Sequence, residues 1–115
     1  MINLKVQLPG VGEIKNPIMS ASGPFHYGWK FAKHYDLNIL GTIITKSVTK
    51  DPGLGNPAPF KNKIGQGWIN AVGLHNPGMN EVIEKHYSKL AKVYNGKFIV
   101  NIDAKPEEDF IILAK

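Results

Sequence analysis

"ILGTIITKSVT", residues 39–49, is the stretch on which the fold turns. Ile39, Leu40, Ile43, Ile44 and Val48 make a near-continuous apolar run in which β-branched residues dominate. A strand with one wet face alternates apolar and polar positions, so an unbroken run predicts a strand covered on both faces, as in a parallel sheet under crossover helices. Lys46 follows that run with no break. A buried ammonium has to be paired, neutral or turned toward a ligand. Two readings of Lys46 therefore stand: a salt bridge to Asp103 or another acid, or a cation held at the mouth of the sheet against negative charge on a ligand.

Upstream, "INLKVQL" and "VGEI" flank Pro9-Gly10 and read as a β-hairpin, with Leu4, Val6 and Leu8 alternating against Lys5 and Gln7. "PIMSASG" (17–23) is a short apolar run ending in small residues, a second strand of the sheet. "GWKFAKHYDLN" (28–38) predicts a short helix with Trp29, Phe31, Ala32 and Tyr35 turned inward. Downstream, residues 50–68 are rich in proline and glycine and read as loop.

A helix follows "HNPG", with Asn76 as N-cap and Pro77 in the first turn. Met79, Ile83, Tyr87, Leu90 and Tyr94 give it one apolar face, and Asn95-Gly96 stops it. "KFIVNID" (97–103) predicts a third buried strand, and "PEEDFIILAK" (106–115) opens another helix with three acids in its first turn. Strands near 17–21, 41–47 and 97–102, alternating with helices, imply parallel neighbours joined by right-handed crossovers. Three such units do not finish an α/β fold. The chain is expected to be the opening part of a longer one, with an exposed sheet edge that favours self-association.

Composition narrows the classes. The 115 residues, 43% of them apolar, suit one globular domain. With no cysteine there is no disulfide framework, zinc ribbon or thiol nucleophile, and the four histidines lack metal-ligand spacing. Surface or helix-face roles are expected for them. The formal charge of +5 comes from fourteen lysines against nine acids, with no arginine. Scattered lysines without the guanidinium that reads guanine edges and phosphates favour a solvated surface over a nucleic-acid interface. No segment has the form of a signal peptide or a membrane span, so a cytoplasmic location is expected.

Three strand ends carry polar residues where α/β folds place ligands: Ser20-Ala21-Ser22-Gly23, Thr45-Lys46-Ser47 and Asn101-Ile102-Asp103. Ser22-Gly23 reads equally as a tight turn, and Asn101 equally as a loop-satisfying carboxamide. "GQGWINAVGLHNPG" (65–78) mixes four glycines and a proline with Trp68, Ile69, Val72 and Leu74 and two asparagines, Asn70 and Asn76. That is loop punctuation, core material and carboxamides in one segment.

"NPIMSASG", "TKSVT", "GNPAP", "NAVGLHNPG" and "VNI" stand in the order and spacing of the N-terminal part of dihydroorotate dehydrogenase. The chain resembles that family over essentially its whole length, and its class 1, soluble NAD-linked type most of all. The resemblance implies the N-terminal portion of a (β/α)8 TIM barrel, about three βα units preceded by a short β-hairpin, in a single incomplete domain spanning 1–115. It implies an FMN flavoprotein oxidising dihydroorotate to orotate in pyrimidine biosynthesis. A homo-oligomer and a partner subunit carrying FAD and a 2Fe-2S cluster are implied as well. By the same resemblance Ala21, Ser22, Lys46, Ser47 and Asn101 contact the flavin. Lys46 and the segment Asn70, Ala71, Val72, Gly73 and Leu74 contact the substrate. The apolar residues of the segment would pack to fix the loop, and its carboxamides would meet the pyrimidine edge.

The sequence also departs from the family. Leu54 and Phe60 stand where the family usually has arginines, and Pro24 and His26 lie in a stretch that is usually small and glycine-rich. The loop with the family's catalytic base, a cysteine in this class, has no counterpart in these residues, so no catalytic residue is assigned. Such a barrel takes about 250 residues. Residues 1–115 alone are therefore expected to be inactive and to hold FMN weakly or not at all. Two alternatives remain: a non-catalytic truncated remnant, and a related flavin-dependent dihydropyrimidine oxidoreductase.

Overall fold

A computed structural model describes residues 2–115. The amino-terminal hairpin pairs β1 (Val6–Leu8) with β2 (Gly12–Ile14), antiparallel, Val6 opposite Ile14. The turn between them holds Pro9-Gly10, where the sequence puts it.

The sheet at the centre is parallel. β3 (Ile43–Ile44) lies beside β6 (Phe98–Ile99) in register Ile43 to Phe98. Isolated parallel bridges extend it, Met19 to Thr42 on the free side of β3 and Val48 to Ile102 farther along the same two paths. The path near 17–21 is thus a neighbour of the 41–48 path, though it forms a single bridge rather than a regular strand. Ser20 supplies what the short ladder lacks: its hydroxyl donates to the Ile44 carbonyl (3.1 Å) and accepts from the Ile44 N–H (3.0 Å). Across the other edge, the buried Thr42 hydroxyl donates to the Lys97 carbonyl at 2.6 Å. Buried hydroxyls without partners would weaken the sheet; these instead bind its strands together.

Two apolar clusters cover the sheet. Leu37, Ile43, Leu90 and Tyr94 form one, with Phe25, Trp29, Phe31 and Phe98 packed around them. Tyr27, Val48 and Val82 form the other, against Met79, Tyr87 and Leu113. The buried run in the sequence is shorter than its apolar composition suggests. Ile39 is 64% exposed, because Leu37–Ile39 is a 3-10 turn entering the strand rather than part of it. The helix expected over 28–38 is likewise a 3-10 turn, Trp29–Lys33, after the four-residue α1 (Ser22–Phe25). Its tighter winding places Trp29, Phe31 and Ala32 against the core and leaves Tyr35 exposed, not inward.

The long helix departs from its expected phase in an informative way. α2 (Met79–Glu81), a π-helical turn (Val82–Tyr87) and α3 (Ser88–Val93) run on without interruption. The π turn adds a residue to the repeat. The inward positions are therefore Val82, Tyr87, Leu90 and Tyr94, with Tyr87 partly exposed, while Ile83 is 56% exposed. The helix also starts later than expected. Gly78 is the flanking residue, and Asn76 acts one turn earlier, accepting from the Gly78 N–H at 3.0 Å. α4 (Glu108–Leu113) returns along the sheet, tied by Lys50 and the buried Asp109 at 3.0 Å.

Within the segment that reads as loop, the structure has a further hairpin, β4 (Lys61–Ile64) with β5 (Gly67–Asn70). Every residue of both strands is exposed, and Trp68 is 71% exposed. Trp68 and Ile69 are therefore not the packing that fixes the 65–78 segment.

Candidate functional site

The parallel strands end at one mouth. Thr45 donates its N–H to the Ile99 carbonyl and Val48 donates to Asn101, each at 2.9 Å, so the two paths stay paired past the regular strands. Between those bonds Lys46 turns the other way and donates its N–H to the His26 carbonyl at 2.7 Å. That bond carries the Lys46 side chain into a cleft of about 840 Å³, within the usual range for small-molecule sites. Ser22, Gly23 and His26 contribute to the cleft from α1 and the turn after it. Lys46 and Ser47 contribute from the strand end, and Asn70, Val72 and Leu74 from the segment after β5.

The 70–78 segment is held by its own backbone rather than by apolar burial. Gly53 and Asn76 exchange two backbone bonds at 2.9 Å, and Asn56 donates its N–H to Val72 (3.0 Å) and its carboxamide to Ala71 (2.8 Å). At Gly73 (φ 72°) a side chain would meet Asn56 at 2.8 Å, and at Gly55 (φ 72°) it would meet the Val72 carbonyl at 2.5 Å. Glycine is needed at both for close backbone approach.

The two asparagines have different tasks. Asn76 is buried and its carboxamide is committed within the fold, donating to the Thr49 hydroxyl (2.9 Å) and the Leu74 carbonyl (2.8 Å). Asn70 lines the cleft, and among the described residues its carboxamide has no hydrogen-bond partner.

Several expected residues lie beside the cleft rather than on it. Asn101 donates to the Ser47 hydroxyl at 2.9 Å and so supports a lining residue. Ala71 donates its N–H to the Phe60 carbonyl at 2.8 Å, Gly73 packs on Asn56, and Ala21 accepts a backbone bond from Phe25 at 3.3 Å. No ion pair joins Lys46 to Asp103 or to any other acid among the described residues. Burial pushes the Lys46 ammonium below its usual value.

Five lining residues were not among those expected: Pro24, His26, Phe60, Lys61 and His75. His26 and His75 are exposed, as surface roles predict, and both lie on the wall of the cleft. Burial, then the charges of Lys46, Lys30 and Lys61, hold the His26 imidazole below its ordinary pKa. The lining contains two lysines, two histidines and no carboxylate. A concave site of that make-up favours an anion, ideally one with a planar apolar body to fill the apolar part of the wall.

The family model of dihydroorotate dehydrogenase matches residues 3–115. The chain belongs to the dihydroorotate dehydrogenase family. It is 44% identical over 114 residues to the catalytic subunit of dihydroorotate dehydrogenase B (NAD(+)) of Alkaliphilus metalliredigens, covering 99% of this chain and 37% of that protein. It is 42% identical over 111 residues to the subunit of the same name in Fusobacterium nucleatum, covering 96% of this chain and 36% of that protein. The Listeria welshimeri subunit is 41% identical over 111 residues, with the same coverage. The chain thus spans little more than a third of the length of these family members.

Among the described residues no helix is long and apolar enough to cross a membrane, and no cluster of three or more His, Cys, Asp or Glu is placed to hold a metal ion.

Proposed function

We propose that residues 1–115 are the N-terminal part of an FMN-dependent dihydroorotate dehydrogenase, a (β/α)8 barrel enzyme of pyrimidine biosynthesis that oxidises dihydroorotate to orotate. The observation that carries this reading is the carboxylate-free cleft at the strand ends, with an unpaired lysine in its wall. Its dimensions and donors fit a flavin ring and a pyrimidine carboxylate. Ala21, Ser22, Lys46, Ser47 and Asn101 would hold the flavin. Lys46, Asn70, Ala71, Val72, Gly73 and Leu74 would hold the substrate.

FMN, when bound, would supply the two-electron acceptor for oxidation of the dihydropyrimidine. The residues of this chain do the rest by position. Lys46 supplies a fixed positive charge where negative charge gathers during the reaction, in a site partly shielded from water. Asn70 offers a donor and an acceptor to the edge of a planar ring, and the glycines of 70–78 keep its backbone close. That arrangement exists before any ligand arrives, which lowers the cost of orienting one. The group that removes the substrate proton would come from sequence outside residues 1–115. The partner proposed is an iron–sulfur and FAD electron-transfer subunit, since the relatives carry the name catalytic subunit. Self-association and a cytoplasmic location complete the proposal.

The test is anaerobic mixing of the 115-residue chain with FMN and dihydroorotate. The expected result is no protein-dependent bleaching of the flavin, since the base has to lie within about 3 Å of the departing proton or one water away. Bleaching would show that residues 1–115 suffice and that these roles are misassigned. Phe60, lining the cleft where the family usually has an arginine, favours a second reading: a related flavin-dependent oxidoreductase of another dihydropyrimidine. A cleft that takes up uracil in preference to orotate would select it.

A further inference from the structure

Among the described residues only two other than glycine have positive φ, His26 (51°) and Leu74 (56°), and both line the same cleft. His26 is the more demanding case. Gly28 donates its N–H to the Phe25 carbonyl at 3.0 Å, which closes a four-residue turn over 25–28. With φ 51° and ψ −126°, His26 occupies the first central position of a type II′ turn, a place dominated by glycine, asparagine and aspartate.

The backbone itself explains the conformation. It aims the His26 carbonyl at the Lys46 N–H, 2.7 Å away, and so fixes the lysine's backbone at the cleft mouth. Glycine would make that bond equally well and without strain. What the backbone does not explain is the side chain. Strain of this kind persists where surrounding structure or function maintains it, and it gathers at ligand sites. The imidazole is not part of either apolar cluster and has no hydrogen-bond partner among the described residues. It stands at the rim of the cleft, close enough to Lys46 and Lys61 for their charges to disfavour its protonation. A neutral imidazole offers one donor and one acceptor.

We propose that His26 is a specificity-determining contact of this cleft, its imidazole meeting the planar anionic ligand alongside the Lys46 ammonium. The assignment rests on the reading of the cleft given above and adds to it a residue at which this chain departs from a glycine-rich stretch.

The experiment compares the 115-residue chain with His26→Gly, using orotate as probe and following the histidine ring signals by NMR. His26→Gly identifies the His26 signal by its loss. In the unsubstituted chain that signal is expected to shift on adding orotate. His26→Gly should raise Tm by a few degrees, through relief of strain, while weakening orotate binding about tenfold, the loss expected for a hydrogen bond to a charged group. An unchanged orotate affinity in His26→Gly overturns the assignment while leaving the cleft reading intact. A lowered Tm overturns it too, by showing the ring to be packing. Orotate uptake by neither form overturns the cleft reading and this assignment with it.

Discussion

Asn70 and Asn76 sit six positions apart in the same segment, and only their surroundings separate a cleft-lining residue from a structural part. Asn76 spends its carboxamide on Thr49, Leu74 and Gly78, while Asn70 keeps its own for the cleft. Asn76→Ala should therefore destabilise the chain by about 1–3 kcal/mol, the cost of stranding buried partners. Asn70→Ala should change stability by no more than about 0.5 kcal/mol and weaken orotate binding instead. Urea unfolding and orotate titration of the two variants measure both effects; reversed effects would interchange the roles. The sequence shows two asparagines in a glycine-rich segment but not which neighbours each meets, because Thr49 is 27 positions from Asn76. Lys46 was more legible: a lysine at the end of an apolar strand has few places to point. The place of His26 and His75 on the cleft wall was missed because neither the aromatic neighbours of His26 nor Leu74 and Asn76 beside His75 carry a local signal of a cleft assembled from several segments.

The helix over 79–93 shows what periodicity reveals and where it stops. Its existence, its approximate ends and Leu90 and Tyr94 as core positions follow from apolar spacing and from charges that suit the helix dipole. The π turn at Val82–Tyr87 does not, because apolar spacing read at a uniform repeat carries no mark of a local change in winding. The consequence is measurable. Leu90→Ala should cost about 2–5 kcal/mol and Val82→Ala clearly more than Ile83→Ala, which should stay within about 0.5 kcal/mol. A costly Ile83→Ala would restore the plain α-helical phase. The β4–β5 hairpin was legible in principle. Gly65-Gln66 is a two-residue link with glycine first and φ 57°, the signature of a II′ hairpin turn, but its flanks, "KNKI" and "GWIN", lack the apolar alternation that usually announces strands.

Across the whole molecule, the parallel sheet joins residues far apart in sequence, and its two clusters meet at a group of aromatic rings. Tyr27 lies against His86 with ring centroids 4.4 Å apart and planes tilted by 32°, and the Trp29 indole N–H donates to His86 Nδ1 at 3.1 Å. Among the described residues the buried Tyr27 hydroxyl has no partner, and burial, with Tyr87 and Glu81 adding to it, pushes its pKa up to about 12. An unfolded tyrosine ionises near pH 10. The neutral hydroxyl's contribution is thus fully present below pH 10 and is lost as pH rises from there through about 12. Tyr27→Phe should stabilise the chain at neutral pH by about 1 kcal/mol, since it removes an unsatisfied buried group, and should flatten the alkaline loss of stability. Thermal melts from pH 8 to 12 read both. A destabilised Tyr27→Phe would mean that the hydroxyl has a partner after all.

The alternation of strands and helices made the parallel order readable, because crossovers admit few topologies. The exposed Leu54, Trp68 and Ile69 were not, since apolar composition alone does not say which residues find a partner.

The claim on which the functional account depends is that the strand ends form one anion-binding cleft centred on Lys46. Backbone amide NMR of the 115-residue chain during orotate titration, repeated with Lys46→Met, tests it most directly. The account predicts saturable shifts confined to the segments around Ser22, Lys46 and Asn70 to His75, and their loss or at least tenfold weakening in Lys46→Met. Shifts scattered over the exposed lysines, or an identical titration in Lys46→Met, would contradict it.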